Sequence, residues 1–329
     1  MVRMDRRITI SADRLPVVIC GAGLPHIAGV PLQAELSSAV IPDGMARIYN
    51  LVRDRPLDAP IDIEEFLTSI DFEDALQSVK PQEGRLNSRT YLQALAIEIY
   101  NATAATKWSS RVLGSFFEQV ARLWKIADTI ITTNWDTLLE CYAHRQYGTL
   151  DLLTCRPPRK SLLKVHGSID WFALNSKEHD FVARDHFQRI AGKYFRYKPF
   201  SEGEALFHIY KSAAAIVDEV PPALIAPTHL KEIPRGLFRR IWRAAYRVLQ
   251  QARHVVIIGY SLPPSDRLIA ELLMASRYPH IERQVVESVR VSVVDPDPSG
   301  TVRQRYEGLF GPQIEFHQVG FEDLEFRVV

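Results

Sequence analysis

The sequence predicts an α/β protein built on a doubly wound parallel sheet. Short runs rich in β-branched residues recur along the chain, and longer stretches with apolar residues at helical spacing lie between them. The runs are continuously apolar rather than alternating, which is typical of strands covered by helices on both faces. Several runs end directly in glycine or in a polar residue, as strands do where such a sheet binds a ligand.

Six runs are predicted to be strands, and a seventh is a candidate edge strand. They are LPVVIC (15–20), DTIITTN (128–134), SLLKVHG (161–167), ALIAPT (223–228), HVVIIGY (254–260) and VRVSVVD (289–295), with QIEFHQV (313–319) at the edge. Helical patterns separate most of these runs, so crossover helices are expected to join the strands and make them run parallel.

The spacing of the strands predicts two insertions. Roughly a hundred residues separate the first two runs, far more than a crossover needs. Residues 33–126 contain long stretches at helical period, which predict an inserted helical module. Residues 172–221 are mixed in charge and rich in aromatic residues, and we predict a second, helical insertion there. The sheet domain would then consist of residues 1–32, 127–171 and 222–329.

Composition and charge exclude several classes of protein. The chain has 329 residues, with 40 basic and 39 acidic side chains and a formal net charge of +1. No global field therefore attracts nucleic acid or a membrane surface, and neither is expected as a direct partner. No uncharged stretch reaches the roughly 18–20 residues of a membrane span, and no apolar leader precedes the first strand. We therefore expect a cytoplasmic protein.

The three cysteines argue against a metal site and against disulfides. Cys20, Cys141 and Cys155 are odd in number and share no C-x-x-C spacing. A disulfide framework needs pairs, and a structural zinc site of the sulfur type needs closely spaced ligands. No metal cofactor is expected.

The first glycine turn follows a predicted strand directly. In ICGAG, Gly21, Ala22 and Gly23 would let the backbone approach a pyrophosphate and offer N–H groups to its oxygens. The dehydrogenase fingerprint G-x-G-x-x-G is not completed, because His26 stands at the third glycine position. The turn alone fits either nucleotide binding or a tight connection between a strand and a helix.

Other predicted strands also end in polar or small residues. These residues are Asn134, Asp136, His166, Gly167, Gly259, Tyr260, Ser261 and Asp295. Taken singly, each has an ordinary explanation: Asn134 or Asp136 could cap the following helix, and a lone histidine is often structural. Because ligands bind outside the carboxyl ends of the strands in a doubly wound sheet, we expect these residues to converge on one crevice.

In their order along the chain, these motifs resemble those of the sirtuins, the silent information regulator family. GAG-x-x-x-x-x-GVP, TTNWD, VHGS and GYSL are similar to four elements that line an NAD site in that family. The matching positions are Gly21, Ala22, Gly23, Gly29, Pro31, Thr132, Asn134, Asp136, His166, Gly167, Gly259, Ser261 and Leu262. The resemblance implies a Rossmann-like NAD-binding domain of the sirtuin type with inserted helical modules.

The forms HGSIDW and IGYSLPPSD resemble the bacterial sirtuin-like branch associated with NAD depletion in defence against phage. Two departures from the deacylases of the family matter. Pro25 replaces a serine of the first element, and residues 167–222 contain no cysteine, where deacylases carry two zinc-binding pairs. The resemblance therefore implies an NAD pocket without the zinc ribbon that forms a wall of the acyl-lysine groove.

The resemblance and the chemistry of the side chains together assign roles to the candidate residues. His166 is assigned as a base that acts on a ribose hydroxyl or on water. Asn134 would hold that ribose or water, and Asp136 would stabilise the transition state or hold the nicotinamide amide. The expected cofactor-binding residues are Gly21, Ala22, Gly23, Pro25, Thr132, Gly167, Gly259, Tyr260, Ser261 and Asp295, of which Asp295 is the candidate for the adenine ribose.

The predicted activity is an NAD glycohydrolase, a hydrolase that uses NAD as substrate and releases nicotinamide and ADP-ribose. The alternatives are an NAD-dependent protein deacylase or ADP-ribosyltransferase, and a non-catalytic nucleotide sensor. The missing cysteine pairs argue against the deacylase, and the presence of both Asn134 and His166 argues against the sensor. The resemblance also implies a partner, a separately encoded ATPase or other sensor protein. Because uncontrolled hydrolysis of NAD would starve the cell, we also predict a homo-oligomer in which the isolated chain is slow.

Overall fold

A computed structural model describes most of the chain. The described residues are 6–30, 32–76, 91–92, 94–99, 110–147, 160–175, 180–182, 222–225, 236–277 and 289–329. The strands are β1 (Arg7–Ile10), β2 (Val17–Cys20), β3 (Thr129–Thr132), β4 (Ser161–Lys164), β5 (Gly167–Asn175), β6 (Asp180–Val182), β7 (Pro222–Leu224), β8 (His254–Ile258), β9 (Arg290–Val294), β10 (Glu315–His317) and β11 (Glu325–Val328). The helices are α1 (Gly23–His26), α2 (Gln33–Val40), α3 (Asp43–Val52), α4 (Ile63–Leu76), α5 (Ser110–Ile126), α6 (Leu138–Tyr147), α7 (Gly236–Gln251), α8 (Arg267–Met274) and α9 (Thr301–Phe310).

The main sheet has six strands in the order β10-β9-β8-β2-β3-β4, and all of its pairs are parallel. This is a doubly wound order: the chain starts in the middle at β2, proceeds to one edge, and then returns to β8 and proceeds to the other. The predicted fold class is confirmed. The switch point lies between β2 and β8, where a crevice forms at the carboxyl ends of the strands.

The central strands are continuously apolar because each of their faces packs in a different core. In β2, Val18 and Cys20 belong to one apolar cluster, whereas Val17 and Ile19 belong to the other. Successive side chains of a strand point to opposite faces, so a strand covered on both faces needs apolar residues at every position. The first cluster includes Trp124 of α5, and the second includes Tyr306 of α9, both fully buried.

The last predicted strand lies at the edge of the main sheet, as the sequence indicates, but the run at 223–228 does not join this sheet. Among the described strands, β10 pairs with β9 alone, which agrees with the predicted edge position. β7 instead pairs antiparallel with β5 in a separate three-stranded sheet, where Gly167 lies opposite Leu224. The cause is local: the chain turns at Gly167, whose φ is +87°, and β7 lies beside the segment that leaves this turn.

The described part of the second predicted insertion is strand rather than helix. Residues 172–175 and 180–182 belong to β5 and β6, which pair antiparallel with Phe172 opposite Val182. Phe172, Phe181 and Val182 are of the aromatic and β-branched types that favour strands over helices, which accounts for the difference. Residues 176–179 and 183–221 lie outside the described part of the chain.

The described part of the first predicted insertion is helical. It contains α2, α3, α4, the helical residues 91–92 and 94–99, and α5. The boundaries of the three predicted domain segments stay a prediction. The sequence did not indicate one further element, a two-stranded parallel sheet of β1 and β11 that joins the two ends of the described chain.

Candidate active site

A cavity of about 870 Å³ opens at the carboxyl edge of the main sheet, beside the switch point. Residues that follow β2, β3, β8 and β9 form one wall, and apolar side chains of the helical segment, including Leu36, Ile63 and Leu95, form another. Ten of the candidate residues line it: Ala22, Gly23, Pro25, Asn134, Asp136, His166, Gly259, Tyr260, Ser261 and Asp295. Gly21, Thr132 and Gly167 are not part of the lining.

The two glycine turns at the switch point pack backbone against backbone. A Cβ atom on Gly21 would lie 2.5 Å from the carbonyl oxygen of Gly259, so no side chain fits there. The Gly21 N–H donates to the Ile258 carbonyl at 3.0 Å, and the Gly23 N–H donates to the Gly259 carbonyl at 2.9 Å. The expectation that these two amides face a pyrophosphate is therefore not met, because both are used inside the fold.

Gly259 gives a prediction about stability. Its φ is +58°, and a Cβ there would lie 2.8 Å from Gly23 Cα, which is backbone and cannot rotate away. We expect Gly259→Ala to lower the free energy of unfolding by about 2 kcal/mol or more. Alanine would be strained in the left-handed conformation, and its Cβ would also clash with the backbone of Gly23. Thermal unfolding measures this. Gly308→Ala is the matched control: Gly308 lies in α9 with open space around its Cα, so alanine should be neutral or stabilising.

The loop after β3 is tied to the first glycine turn by side-chain hydrogen bonds. The Thr132 hydroxyl donates to the Cys20 carbonyl at 3.1 Å and accepts from the Asn134 N–H at 3.1 Å. The Asn134 amide in turn donates to the Gly21 carbonyl at 3.0 Å. Thr132 therefore does not line the cavity but holds the loop that does. Asn134 is buried, and hydrogen bonds fix both its backbone and its side chain.

Asp136 caps the helix that follows the loop. Its Oδ1 accepts a hydrogen bond from the Leu138 N–H at 2.9 Å, at the start of α6. The capping role that the sequence left open for Asp136 is therefore real, although the residue also lines the cavity. Burial raises the pKa of the Asp136 carboxyl, and the positive charge of Lys164 opposes that rise.

The fully buried side chain of Lys164 stabilises the loop that follows β3. The Lys164 ammonium forms an ion pair with Glu140 Oε1 at 2.6 Å and donates to the backbone carbonyls of Asp136 and, at 3.5 Å, Trp135. The side chain of Lys164 is 0% exposed and that of Glu140 is 16% exposed. Sequence reasoning missed this pair, although a lysine within the apolar run SLLKV was a visible signal of it.

His166 follows β4 and faces a carboxylate from across the switch point. Its Nε2 lies 3.4 Å from Asp266 Oδ2, and both side chains are almost completely buried. The Tyr260 hydroxyl donates to the same Oδ2 at 2.6 Å, and the Tyr306 hydroxyl donates to the Tyr260 carbonyl at 2.8 Å. Asp266 also lines the cavity. Asp266 was not among the residues predicted from the sequence, although it ends the motif IGYSLPPSD that carried the resemblance.

Asp295 lies at the end of β9, where the sequence placed it, and lines the cavity there. Its Oδ1 accepts a hydrogen bond from the Asp297 N–H at 2.9 Å. Burial raises the pKa of the Asp295 carboxyl, and the nearby negative charge of Asp297 adds to that rise. Asp297 itself accepts from the Val302 and Arg303 amides and so caps α9.

The part of the chain that the structure describes contains no group of three or more His, Cys, Asp or Glu side chains placed to hold a metal ion. Cys20 is buried in the core, where burial raises the pKa of its thiol. Cys155 and the side chain of Cys141 lie outside the described part, so the absence of a metal stays a prediction. Among the described helices, none has the length and apolar character needed to cross a membrane.

Comparison with known proteins gives fold likeness only. No protein family model matches the sequence, and no curated protein matches it. Among solved structures, the chain is similar to a Sir2 enzyme from work on the mechanism and regulation of that class, with 15% identity, 93% of this chain and 87% of that chain covered, and a TM-score of 0.42.

Two further solved structures give similar values. One is a mutant Sir2 homologue in complex with 2′-O-acetyl ADP ribose, with 15% identity, 93% and 87% coverage and a TM-score of 0.43. The other is a Sir2–p53 peptide–NAD+ complex, with 12% identity, 94% and 90% coverage and a TM-score of 0.37. At these values the likeness assigns no role to any residue of this chain.

Proposed function

We propose that this chain is an NAD glycohydrolase that cleaves the bond between nicotinamide and ribose. The observation that carries the proposal is the cavity of about 870 Å³ at the switch point, which Asn134, Asp136 and His166 line from two neighbouring strand ends. Doubly wound sheets bind nucleotides in this crevice. The order of the motifs around the cavity, which resembles that of the sirtuins, supports NAD as the nucleotide.

The walls of the cavity match the mixed chemistry of a dinucleotide. Apolar side chains such as Ile63 and Leu95 suit the flat faces of a base and keep water away from it. Polar side chains at the strand ends suit ribose hydroxyls, which need hydrogen-bond partners when they leave water. A site with both kinds of wall fits a ligand that carries both bases and sugars.

The reaction needs little acid catalysis. Nicotinamide leaves NAD as a neutral molecule from a positively charged ring, so the electron pair of the broken C–N bond neutralises the ring nitrogen. The sugar passes through an oxocarbenium-like transition state, as in glycoside hydrolysis. Water then attacks the anomeric carbon and gives up a proton. The protein has to orient the ribose, hold the water and accept that proton.

His166 is the residue proposed to accept the proton, from the water directly or from a ribose hydroxyl. Asp266 is the residue proposed to position it, because its carboxylate lies 3.4 Å from His166 Nε2 and stabilises the imidazolium that forms. The hydrogen bond from the Tyr260 hydroxyl at 2.6 Å holds that carboxylate in place. Asn134 holds the ribose or the water, and Asp136 faces the nicotinamide end.

The deciding experiment is to incubate the purified chain with NAD and to quantify the products by chromatography. We expect equimolar nicotinamide and free ADP-ribose without any added peptide. Release of nicotinamide that requires an acylated peptide would identify a deacylase, and ADP-ribose attached to protein would identify a transferase. Binding of NAD without cleavage would identify a sensor. Each of these three results overturns the proposal.

Asn134 gives a second test of the mechanism. We expect Asn134→Ala to lower the rate of nicotinamide release by about 10²-fold, because the ribose or water loses its partner. The double variant with His166→Ala should be little slower than the slower single variant, since both residues act on one water or ribose. Thr132→Val is the control: it loosens the same loop but keeps the amide, so its loss should be clearly smaller.

The proposed activity also requires control, because free hydrolysis would deplete the NAD of the cell that makes the enzyme. We therefore propose a homo-oligomer that a separately encoded sensor activates, in defence against phage. Light scattering, and NAD turnover with and without the protein encoded next to this one, test this. A monomer with full activity alone would contradict it.

A further inference from the structure

The outer face of α7 carries positive charge that nothing in the described chain neutralises. Arg239, Arg240, Arg243 and Arg247 are all exposed, and together they are called the α7 arginine face. Within the part of the chain that the structure describes, none of the four forms a hydrogen bond or an ion pair through its side chain. Such a concentration of charge needs an explanation, because like charges in one helix destabilise it.

The surrounding sequence reinforces this charge. Between residues 233 and 265 there are six arginines and not one aspartate or glutamate. The whole chain has a formal net charge of only +1, so this segment is strongly unlike the rest. The near-zero net charge of the chain is therefore compatible with a strongly positive local surface, and such surfaces attract negatively charged partners.

The spacing and the type of these residues point to phosphate groups. Arg239, Arg243 and Arg247 follow each other at intervals of four, so they form one row with steps of about 6 Å along the helix. Arginine presents a planar fork of N–H donors that matches phosphate oxygens, which lysine does not. Tyr246 lies on the same face and is 37% exposed, so an aromatic surface is available beside the row.

The buried face of α7 packs in the core and fixes the position of the arginine row. Phe238, Ile241 and Leu249 are buried in the core. The Trp242 indole N–H donates to the carbonyl of Val165 at 2.8 Å, one residue before His166. The apolar side chains of α7 that the structure describes are thus used for packing, and they leave no apolar face for insertion into a membrane.

We propose that the α7 arginine face binds the phosphate backbone of a nucleic acid, without reading its sequence. A protein partner is less well matched, because the core of a protein interface is largely apolar and the described buried apolar residues of α7 already pack in the core of this chain. The proposal goes beyond NAD cleavage and does not depend on it. It replaces the expectation, drawn from net charge alone, that no nucleic acid binds.

The test uses fluorescence anisotropy with the full chain and two labelled probes, a single-stranded DNA of mixed sequence and the corresponding duplex. We expect binding in roughly the 10⁻⁴–10⁻⁶ M range of non-specific contacts, weakening as salt rises. The triple variant Arg239→Gln, Arg243→Gln, Arg247→Gln should bind at least tenfold more weakly. Its slope of log affinity against log salt should be shallower by about 2 to 3, since about three phosphate contacts are lost.

A control with the same loss of charge separates a local site from a general effect. Arg14, Arg47 and Arg327 are exposed elsewhere in the fold, and their triple change to glutamine should leave DNA binding within about twofold of the parent. Melting temperatures show whether each variant is folded. The proposal is overturned if no probe binds, if both triple variants weaken binding equally, or if polyglutamate or phosphatidylserine vesicles bind this face while DNA does not.

Discussion

His166→Ala is expected to reduce NAD cleavage by about 10²–10⁴-fold, the range of a positioned base, while the protein stays folded. The imidazole lies at the end of β4 on the cavity wall, so its loss removes the proton acceptor without opening the apolar core. It also leaves Asp266 without the group that it faces at 3.4 Å. Nicotinamide release under saturating NAD measures the effect, and thermal unfolding confirms the fold.

A second histidine in the same cavity supplies the matched control. His26 lines the cavity, but its side chain is 46% exposed and its Nδ1 lies 3.1 Å from the Val30 carbonyl oxygen. The carboxylate beside it, Glu35 at 3.9 Å, has a side chain that is 56% exposed, unlike that of Asp266, so His26→Ala should cost less than about tenfold in rate. Equal losses in the two variants, or a His166→Ala protein that works at the parent rate, would remove His166 from the mechanism.

The central sheet could be predicted because burial of its strands on both faces is visible in their amino-acid composition. β2 and β8 are apolar at every position since both faces pack in cores, and this pattern needs no knowledge of the rest of the fold. The convergence of Asn134, His166 and Gly259 at one edge followed from the same pattern. Strands that run parallel bring their carboxyl ends together, so polar residues that are distant in sequence become neighbours.

Pairing between short strands could not be predicted, because it depends on partners far away in the chain. The run at 223–228 has the composition of a buried strand, and composition does not distinguish a parallel neighbour from the antiparallel partner that β5 provides. β1 and β11 are four residues each and join the two ends of the described chain. The partner of His166 was missed for the same reason, since Asp266 is a hundred residues away and only the fold brings it within 3.4 Å.

Lys164→Met is expected to lower the free energy of unfolding by roughly 3–5 kcal/mol, as when one partner of a buried ion pair is removed. The lysine side chain is 0% exposed, and its ammonium lies 2.6 Å from Glu140 Oε1. Methionine keeps most of the volume but removes the ammonium that pairs with the Glu140 carboxylate, which is only 16% exposed. The carbonyls of Trp135 and Asp136 lose a donor as well. Chemical denaturation measures the loss.

The same strand region offers a control for this prediction. Lys160 forms an ion pair with Asp128 at 2.8 Å, but the aspartate side chain is 69% exposed, so water screens the pair. Lys160→Met should therefore cost no more than about 1 kcal/mol. The double variant Lys164→Met, Glu140→Gln should recover part of the stability, because it removes the buried negative charge that the Lys164 ammonium no longer offsets. If Lys164→Met is no more damaging than Lys160→Met, the buried pair does not support the loop that carries Asn134 and Asp136.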